Sequence, residues 1–246
     1  MRNLKLTIEY DGTHHCGWQI QPKDRTVMQE LQLAIKKLTK ETPKIEYSSR
    51  TDSGVHAYGQ VISFKTKSTL PLKNIQMALN SHLPGDTRVV KAEDAKAGFN
   101  ARFDAKAKHY RYIISDAKIA PAIERDYKYH FKLCRLNERK MLSVVKYLIG
   151  THDFTSFSAD SGEDQGSPIK KIIYLKIKRK GDIITIDIKG SGFLYKMVRS
   201  IVGALIEVGR GKITPNDIKK LLELKKRSMT VPTAPSQGLY LVKVFY

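Results

Sequence analysis

A chain of 246 residues, 41% hydrophobic and 28% charged, has room for one large domain or two of about 100 to 150 residues each, and its composition excludes a disordered or fibrous protein. No apolar run approaches the ~20 residues of a membrane span. Its 44 Lys and Arg against 24 Asp and Glu leave a formal charge of +20, which draws in polyanions and makes nucleic acid the first partner to consider.

Leu4, Leu6, Ile8 and Tyr10 alternate with Lys5, Thr7 and Glu9, the period of a half-buried strand. Thr26 with Gln29 reads as a capping box, and Val27, Leu31, Ala34, Ile35 and Leu38 follow at helical spacing. Strand-like runs lie near 44–49 and 59–66. Pro71 opens a second helix carrying Leu72, Ile75, Ala78 and Leu79, and a strand near 87–92 closes this half. The second half begins with a strand near 108–115. A helix starts at about Asn137 with Met141, Leu142, Val145 and Leu148 on its apolar side. Strands at 171–178 and 183–189 flank Gly181-Asp182, a hairpin turn. The run Leu194, Met197, Val198, Ile201, Val202, Leu205 and Ile206 predicts an apolar helix face, Thr214-Pro215 opens one more helix, and Leu239 to Tyr246 closes as a strand. Both halves share a βαββαβ order, which predicts an α+β fold of two domains, 1–105 and 106–246, with mainly antiparallel sheets covered by helices on one face.

The most informative stretch is Ser48-Ser49-Arg50-Thr51-Asp52-Ser53-Gly54-Val55-His56-Ala57. Asp-Ser-Gly is ordinary turn chemistry, with Gly54 able to take positive φ. If the segment is extended, Arg50 and Asp52 point to the same side, where a guanidinium keeps the carboxylate ionised and oriented. An ionised Asp on a loop beside a strand is a candidate nucleophile or base. His56 reads as a structural hydrogen-bonder. Tyr110 and Tyr112 share one strand face; Tyr112 reads as core, whereas Tyr110 at an edge can stack on an unpaired base. Arg199 lies off the centre of its helix's apolar stripe, where an Arg is usually just solvated; its alternative role is to reach a carboxylate or phosphate.

No cofactor site is legible. There is no GxxxxGK[ST], and Gly190-Ser191-Gly192 lacks the third glycine of a dinucleotide motif. His14-His15 and His152-Asp153 lack a third ligand at zinc spacing, so no metal is expected. Cys16 and Cys134 form no CxxC and no disulfide framework, and the first residues lack the apolar run of a signal peptide; both features suit the cytoplasm.

These stretches form an ordered set. Arg50-Thr51-Asp52-Ser53-Gly54-Val55-His56-Ala57 resembles the signature of the TruA family of tRNA pseudouridine synthases. The likeness extends to Glu9-Tyr10-Asp11-Gly12-Thr13, Gly17-Trp18-Gln19, Phe99-Asn100-Ala101-Arg102-Phe103, Tyr110-Arg111-Tyr112 and Gly150-Thr151-His152-Asp153-Phe154. It continues in Phe193-Leu194, Met197-Val198-Arg199, Ala234-Pro235 and Gly238-Leu239-Tyr240. Ser49, where the family usually has Gly, and the segment 190–196 depart from the pattern. The resemblance implies the pseudouridine synthase fold, two pseudo-symmetric α/β domains flanking a basic cleft, in a homodimer. It implies isomerisation of uridine to pseudouridine at positions 38 to 40 of tRNA, in the anticodon stem-loop, without cofactor or metal. By resemblance Asp52 is the catalytic aspartate, Tyr110 stacks on the target uracil, Arg199 pairs with the aspartate, and Arg50 helps displace the base. Two other readings compete: a non-catalytic binder of two RRM-like domains, for which the RNP1 pattern is missing, and a metal-dependent nuclease, for which the acids near Asp52 are sparse.

Overall fold

The computed structural model describes residues 1–159, 166–226 and 231–246. It contains two compact units, Met1–Lys106 with Tyr240–Tyr246, and Ala107–Leu239. The class is α+β, and most strand pairs are antiparallel.

The first unit runs β1 (Arg2–Tyr10), α1 (Val27–Thr39), β2 (Glu46–Tyr47), β3 (His56–Thr66), α2 (Leu72–His82) and β4 (Thr87–Ala95). β1 pairs antiparallel with β3 on one side and β4 on the other. The register Leu4↔Phe64 and Leu6↔Ile62 places the apolar residues of two strands on one face. Leu4, Leu6, Ile8 and Ile62 are fully buried, as are Leu31 and Ile35 of α1 and Leu79 of α2. Each such side chain contributes about 1.5–3 kcal/mol by leaving water.

Two local expectations fail here. Thr26 makes no capping bond with its side chain, and its hydroxyl is buried without a partner. The backbone at 17–18 takes over that task, because Val27 N–H donates to Gly17 O at 3.3 Å and Met28 N–H to Trp18 O at 3.2 Å. The strand expected over 44–49 shrinks to Glu46–Tyr47, since a buried side chain, Gln60, engages Ser48 and Ser49.

The second unit runs β5 (Ala107–Ser115), β6 (Tyr129–His130), α3 (Glu138–Leu148), β7 (Gly150–Asp153), β8 (Ile169–Lys180), β9 (Ile183–Gly190), α4 (Met197–Gly209) and α5 (Pro215–Leu224). β9 lies between β5 and β8, β7 extends the sheet beyond β8, and β6 pairs with β5. Tyr112↔Ile186 and Ile114↔Ile184 set the apolar face, to which α3 and α4 add Met141, Val144, Leu148, Ile201, Val202 and Leu205. The stripe of α3 is therefore rotated from the expected one. Met141, Val144 and Leu148 are buried while Leu142 is exposed, as an i, i+3, i+7 face requires. α4 begins at Met197 rather than Leu194, because Lys196 takes a left-handed φ of +58° and Met197 N–H closes a turn onto Leu194 O. The last strand, β10 (Leu239–Phe245), runs parallel to β3 over Tyr240↔His56 and Leu241↔Ala57. Among the described residues no helix is long and apolar enough to cross a membrane.

Candidate active site

Asp52 opens a tight turn. Its carbonyl accepts from Val55 N–H at 3.2 Å, and Gly54, third in the turn, has φ +75°, which a side chain would resist. Along the segment Arg50 is exposed, Thr51 buried and Asp52 half-buried, so burial alternates as extended backbone demands.

Two other parts of the chain, residues 10–18 and Gln60, hold this turn and its approach. His15 O accepts from Gly54 N–H at 3.3 Å and from Ser53 Oγ at 3.2 Å. Thr51 O accepts from Trp18 N–H at 3.0 Å, and the Thr51 hydroxyl meets Tyr10 Oη at 2.7 Å. Gly12 N–H donates to His56 Nδ1 at 3.1 Å. A Cβ on Gly12 would stand 2.1 Å from Val55 O, and one on Gly17, where φ is +90°, would stand 2.9 Å from Thr51 O. Both glycines exist because backbone meets backbone there. On the stretch leading into the turn, fully buried Gln60 donates its Nε2 to Ser49 O at 2.7 Å and accepts from Ser48 Oγ at 2.6 Å.

An aromatic layer underlies the same segment. Trp18, fully buried, packs its ring 6.1 Å from Tyr10 and 5.5 Å from Tyr47. Arg50 Nε donates to Tyr47 Oη at 3.3 Å, which anchors the stem of an exposed guanidinium. His56 is buried and structural in its contacts, with Nδ1 3.1 Å from both Gly12 N and Asp11 Oδ1.

His15 owes its position to a polar chain. Its Nδ1 lies 2.9 Å from Asp11 O and its Nε2 3.0 Å from Glu30 Oε2. Arg25 donates to Glu30 at 2.5 Å and holds both Asp86 oxygens at 2.8 Å. The bidentate bond to Asp86 holds the Arg25 guanidinium above its ordinary range against the opposing effect of burial. Burial pushes the Asp86 carboxyl up, but the Arg25 hydrogen bonds prevail and leave it below the usual value. His15, Glu30 and Asp86 are also the one group of possible metal donors among the described residues. Arg25 already supplies a cation to both carboxylates, so the arrangement reads as an ion-pair network rather than a metal centre.

Tyr110 and Arg199 belong to the second unit. Tyr110 is 7% exposed and meets the Phe193 ring edge-on at 5.3 Å. Tyr112 is core, as expected, and donates its hydroxyl to Pro235 O at 2.7 Å. Arg199 is half-buried and donates Nε to Ala234 O at 2.7 Å, while Ala234 N–H donates to Arg199 O at 3.1 Å. This reciprocal pair ties α4 to the segment before β10. On the opposite face of β5, His109 and Arg111 both bind Asp187, at 2.7 and 3.0 Å. Burial raises the Asp187 carboxyl and the hydrogen bonds from His109 and Arg111 more than offset it. Sequence reasoning missed His15 and Gln60 as supports of the turn. The visible signal for Gln60 was an uncharged polar residue within the apolar run of β3.

The sequence profile of the tRNA pseudouridine synthase family matches residues 6–104 and 144–246. The chain is 46% identical over 246 residues to tRNA pseudouridine synthase A of Thermoanaerobacter sp. (strain X514), covering 100% of both chains. It is 47% identical over 245 residues to the proteins of that name from Bacillus subtilis (strain 168) and Bacillus pumilus (strain SAFR-032), covering 99% of this chain and 98% of each of theirs.

Proposed function

The chain belongs to the tRNA pseudouridine synthase family, and from that premise we propose that it isomerises uridine to pseudouridine at positions 38 to 40 of tRNA, in the anticodon stem-loop, with Asp52 as the catalytic carboxylate. The observation that carries the assignment is the turn itself: a half-buried Asp at its head, held by hydrogen bonds from residues 10–18, with Gln60 bonded to the residues that lead into it. Such preorganisation is what a reacting group needs, because small displacements are costly in rate.

The reaction breaks the bond from C1′ to N1, turns the uracil and joins C1′ to C5. The proton on C5 leaves and N1 gains one, so nothing is oxidised and no group is lost. An ionised carboxylate can attack C1′, add to C6 of the uracil, or remove the proton from C2′. The target base must first leave its stack, at a cost of a few kcal/mol. In this reading Arg50 fills the vacated space, Tyr110 stacks on the displaced uracil, and Arg199 is the cation that keeps Asp52 ionised. The net charge of +20 supplies affinity for phosphate independent of the chemistry. The free cysteines Cys16 and Cys134 accord with a cytoplasmic location. The homodimer rests on the family resemblance, and light scattering of the purified protein tests it.

The deciding experiment incubates purified protein, without cofactor and with EDTA, with unmodified tRNA carrying uridines in the anticodon stem-loop. Carbodiimide labelling and primer extension then map pseudouridine. The expected result is label in that stem-loop with the parent and none with Asp52→Asn, which still binds tRNA. Equal labelling by Asp52→Asn, above contaminating host enzyme, would remove Asp52 from the mechanism. Tight, salt-sensitive binding without label would replace the enzyme with an RNA-binding protein.

A further inference from the structure

Tyr58 has no part in the machinery described so far, yet it is a half-exposed aromatic on the strand that leaves the Asp52 turn. It lies two residues beyond His56, the first residue of β3, so its Cα is within about 7 Å of that end. The residue is 50% exposed. Its ring stands nearly parallel to the Tyr240 ring, with an interplanar angle of 8° and centroids 5.3 Å apart. Tyr240 in turn stacks with His56 at 4.8 Å, and His56 is buried and bonded to Gly12 N–H. The orientation of Tyr58 is therefore set by a ring stack rooted in the same backbone that holds the Asp52 turn.

The backbone supports this display. Register passes from Ile8↔Gln60 to Tyr10↔Ala57, so Tyr58 and Gly59 together face Glu9 in a bulge. A Cβ on Gly59 would stand 2.6 Å from Val242 O, so glycine lets β10 approach closely at that point. Glu9 pairs across the sheet with Arg88, which is exposed. A flat ring with its orientation fixed, on a half-exposed residue in a chain of charge +20, suits an aromatic ligand carried on a polyanion. A fixed ring also has little freedom left to lose when a base stacks on it.

We infer that Tyr58 is a stacking platform for a second nucleobase of the bound RNA, one adjacent to the target uridine. The inference rests on the reading of the chain as a tRNA pseudouridine synthase acting at Asp52. It adds a contact that fixes the register of the RNA beside the reacting nucleotide.

The test uses the full chain in an Asp52→Asn background, expected to bind substrate without turnover. The natural chain has one tryptophan, Trp18, which is fully buried. Tyr58→Trp therefore adds the only exposed indole, and its emission should be quenched as stem-loop RNA is titrated, saturating with the binding curve. Tyr58→Leu keeps apolar bulk against Tyr240 but removes the π face. Its Kd for the RNA should rise roughly 5- to 150-fold, the range set by loss of one base stack, while Tyr58→Phe stays within about twofold of the parent. Circular dichroism melts confirm that each variant is folded. Unquenched indole at saturating RNA, or Tyr58→Leu binding as tightly as Tyr58→Phe, overturns the inference. Failure of the parent to label tRNA overturns the functional reading instead, and the fluorescence result is independent of it.

Discussion

Replacing Gly17 with alanine should damage the Asp52 turn more than it damages the fold. Gly17 has φ +90°, and an added Cβ would meet Thr51 O at 2.9 Å, Ser53 N at 3.2 Å and Asp52 C at 3.3 Å. An L-residue at positive φ costs about 1–2 kcal/mol. All three neighbours are backbone, so relief requires the turn to move by a few tenths of an ångström, and such overpacking costs about 1–3 kcal/mol more. A total of about 2–5 kcal/mol lowers the melting temperature of a chain this size by roughly 4–20 °C. A displaced reacting group loses rate as well, up to about 100-fold for a full ångström, so a drop of about tenfold is expected here. Gly181→Ala is the control: φ is +60° but nothing lies within 4 Å of the new Cβ, so only the backbone cost remains. Melting curves and single-turnover pseudouridine formation, measured below both melting temperatures, separate the two effects. If Gly17→Ala keeps the parent's single-turnover rate, the close approach of Gly17 does not position Asp52.

Tyr110→Phe should keep the parent's affinity for tRNA, and Tyr110→Ala should weaken it by roughly 5- to 150-fold in a filter-binding titration; equal losses in both would assign the role to the hydroxyl. Asp116 is bound by Arg179 at 2.8 and 2.9 Å and by Leu136 N–H at 2.9 Å. Burial raises its carboxyl, but the Arg179 hydrogen bonds and the Leu136 N–H bring it below the usual value. Its stabilising contribution is therefore present above pH ~4 and lost on further acidification. Asp116→Asn should cost about 1.5–3 kcal/mol at pH 7 by removing the charged partner of the Arg179 hydrogen bonds, Arg179 being left with Glu138 at 3.6 Å, and less at pH 3, as denaturant melts at the two pH values will show. Gln60→Glu puts a carboxyl in a fully buried site beside Ser49 O, which raises its folded pKa. The variant's deficit against the parent should widen as pH rises from about 4, and a deficit independent of pH would mean that water reaches the site.

Strong periodicity made the elements legible. The alternation from Leu4 to Tyr10 and the spacing from Met197 to Ile206 each survive in β1 and α4, because a strand or helix must bury one stripe wherever it packs. What failed were details that neighbours decide. Thr26 carries the residue type of a cap, yet the backbone at 17–18 took its place. In α3 several apolar residues satisfied the helical period, and packing chose Val144 over Leu142. Lys196 gave no sign that it would adopt a left-handed conformation and delay the start of α4.

The site divides in the same way. Asp-Ser-Gly encodes a turn by itself, since Gly54 supplies the positive φ and Asp52 closes onto Val55. Nothing within those residues says that the turn is rigid. Rigidity comes from His15, 37 positions before Asp52, from Gly12 and Gly17, and from Gln60 on the following strand. Each acts through main-chain atoms of its neighbours, so what constrains residue type there is shape: no Cβ at two positions, and at a third one amide that both donates and accepts. The chemistry of such a turn is thus readable from a short stretch, whereas its precision depends on residues that carry no reactive group. If Asp52 is the catalytic carboxylate as proposed, loss of activity on substitution at Gly12, Gly17 or Gln60 in a still-folded chain measures its placement, not the removal of a catalytic residue.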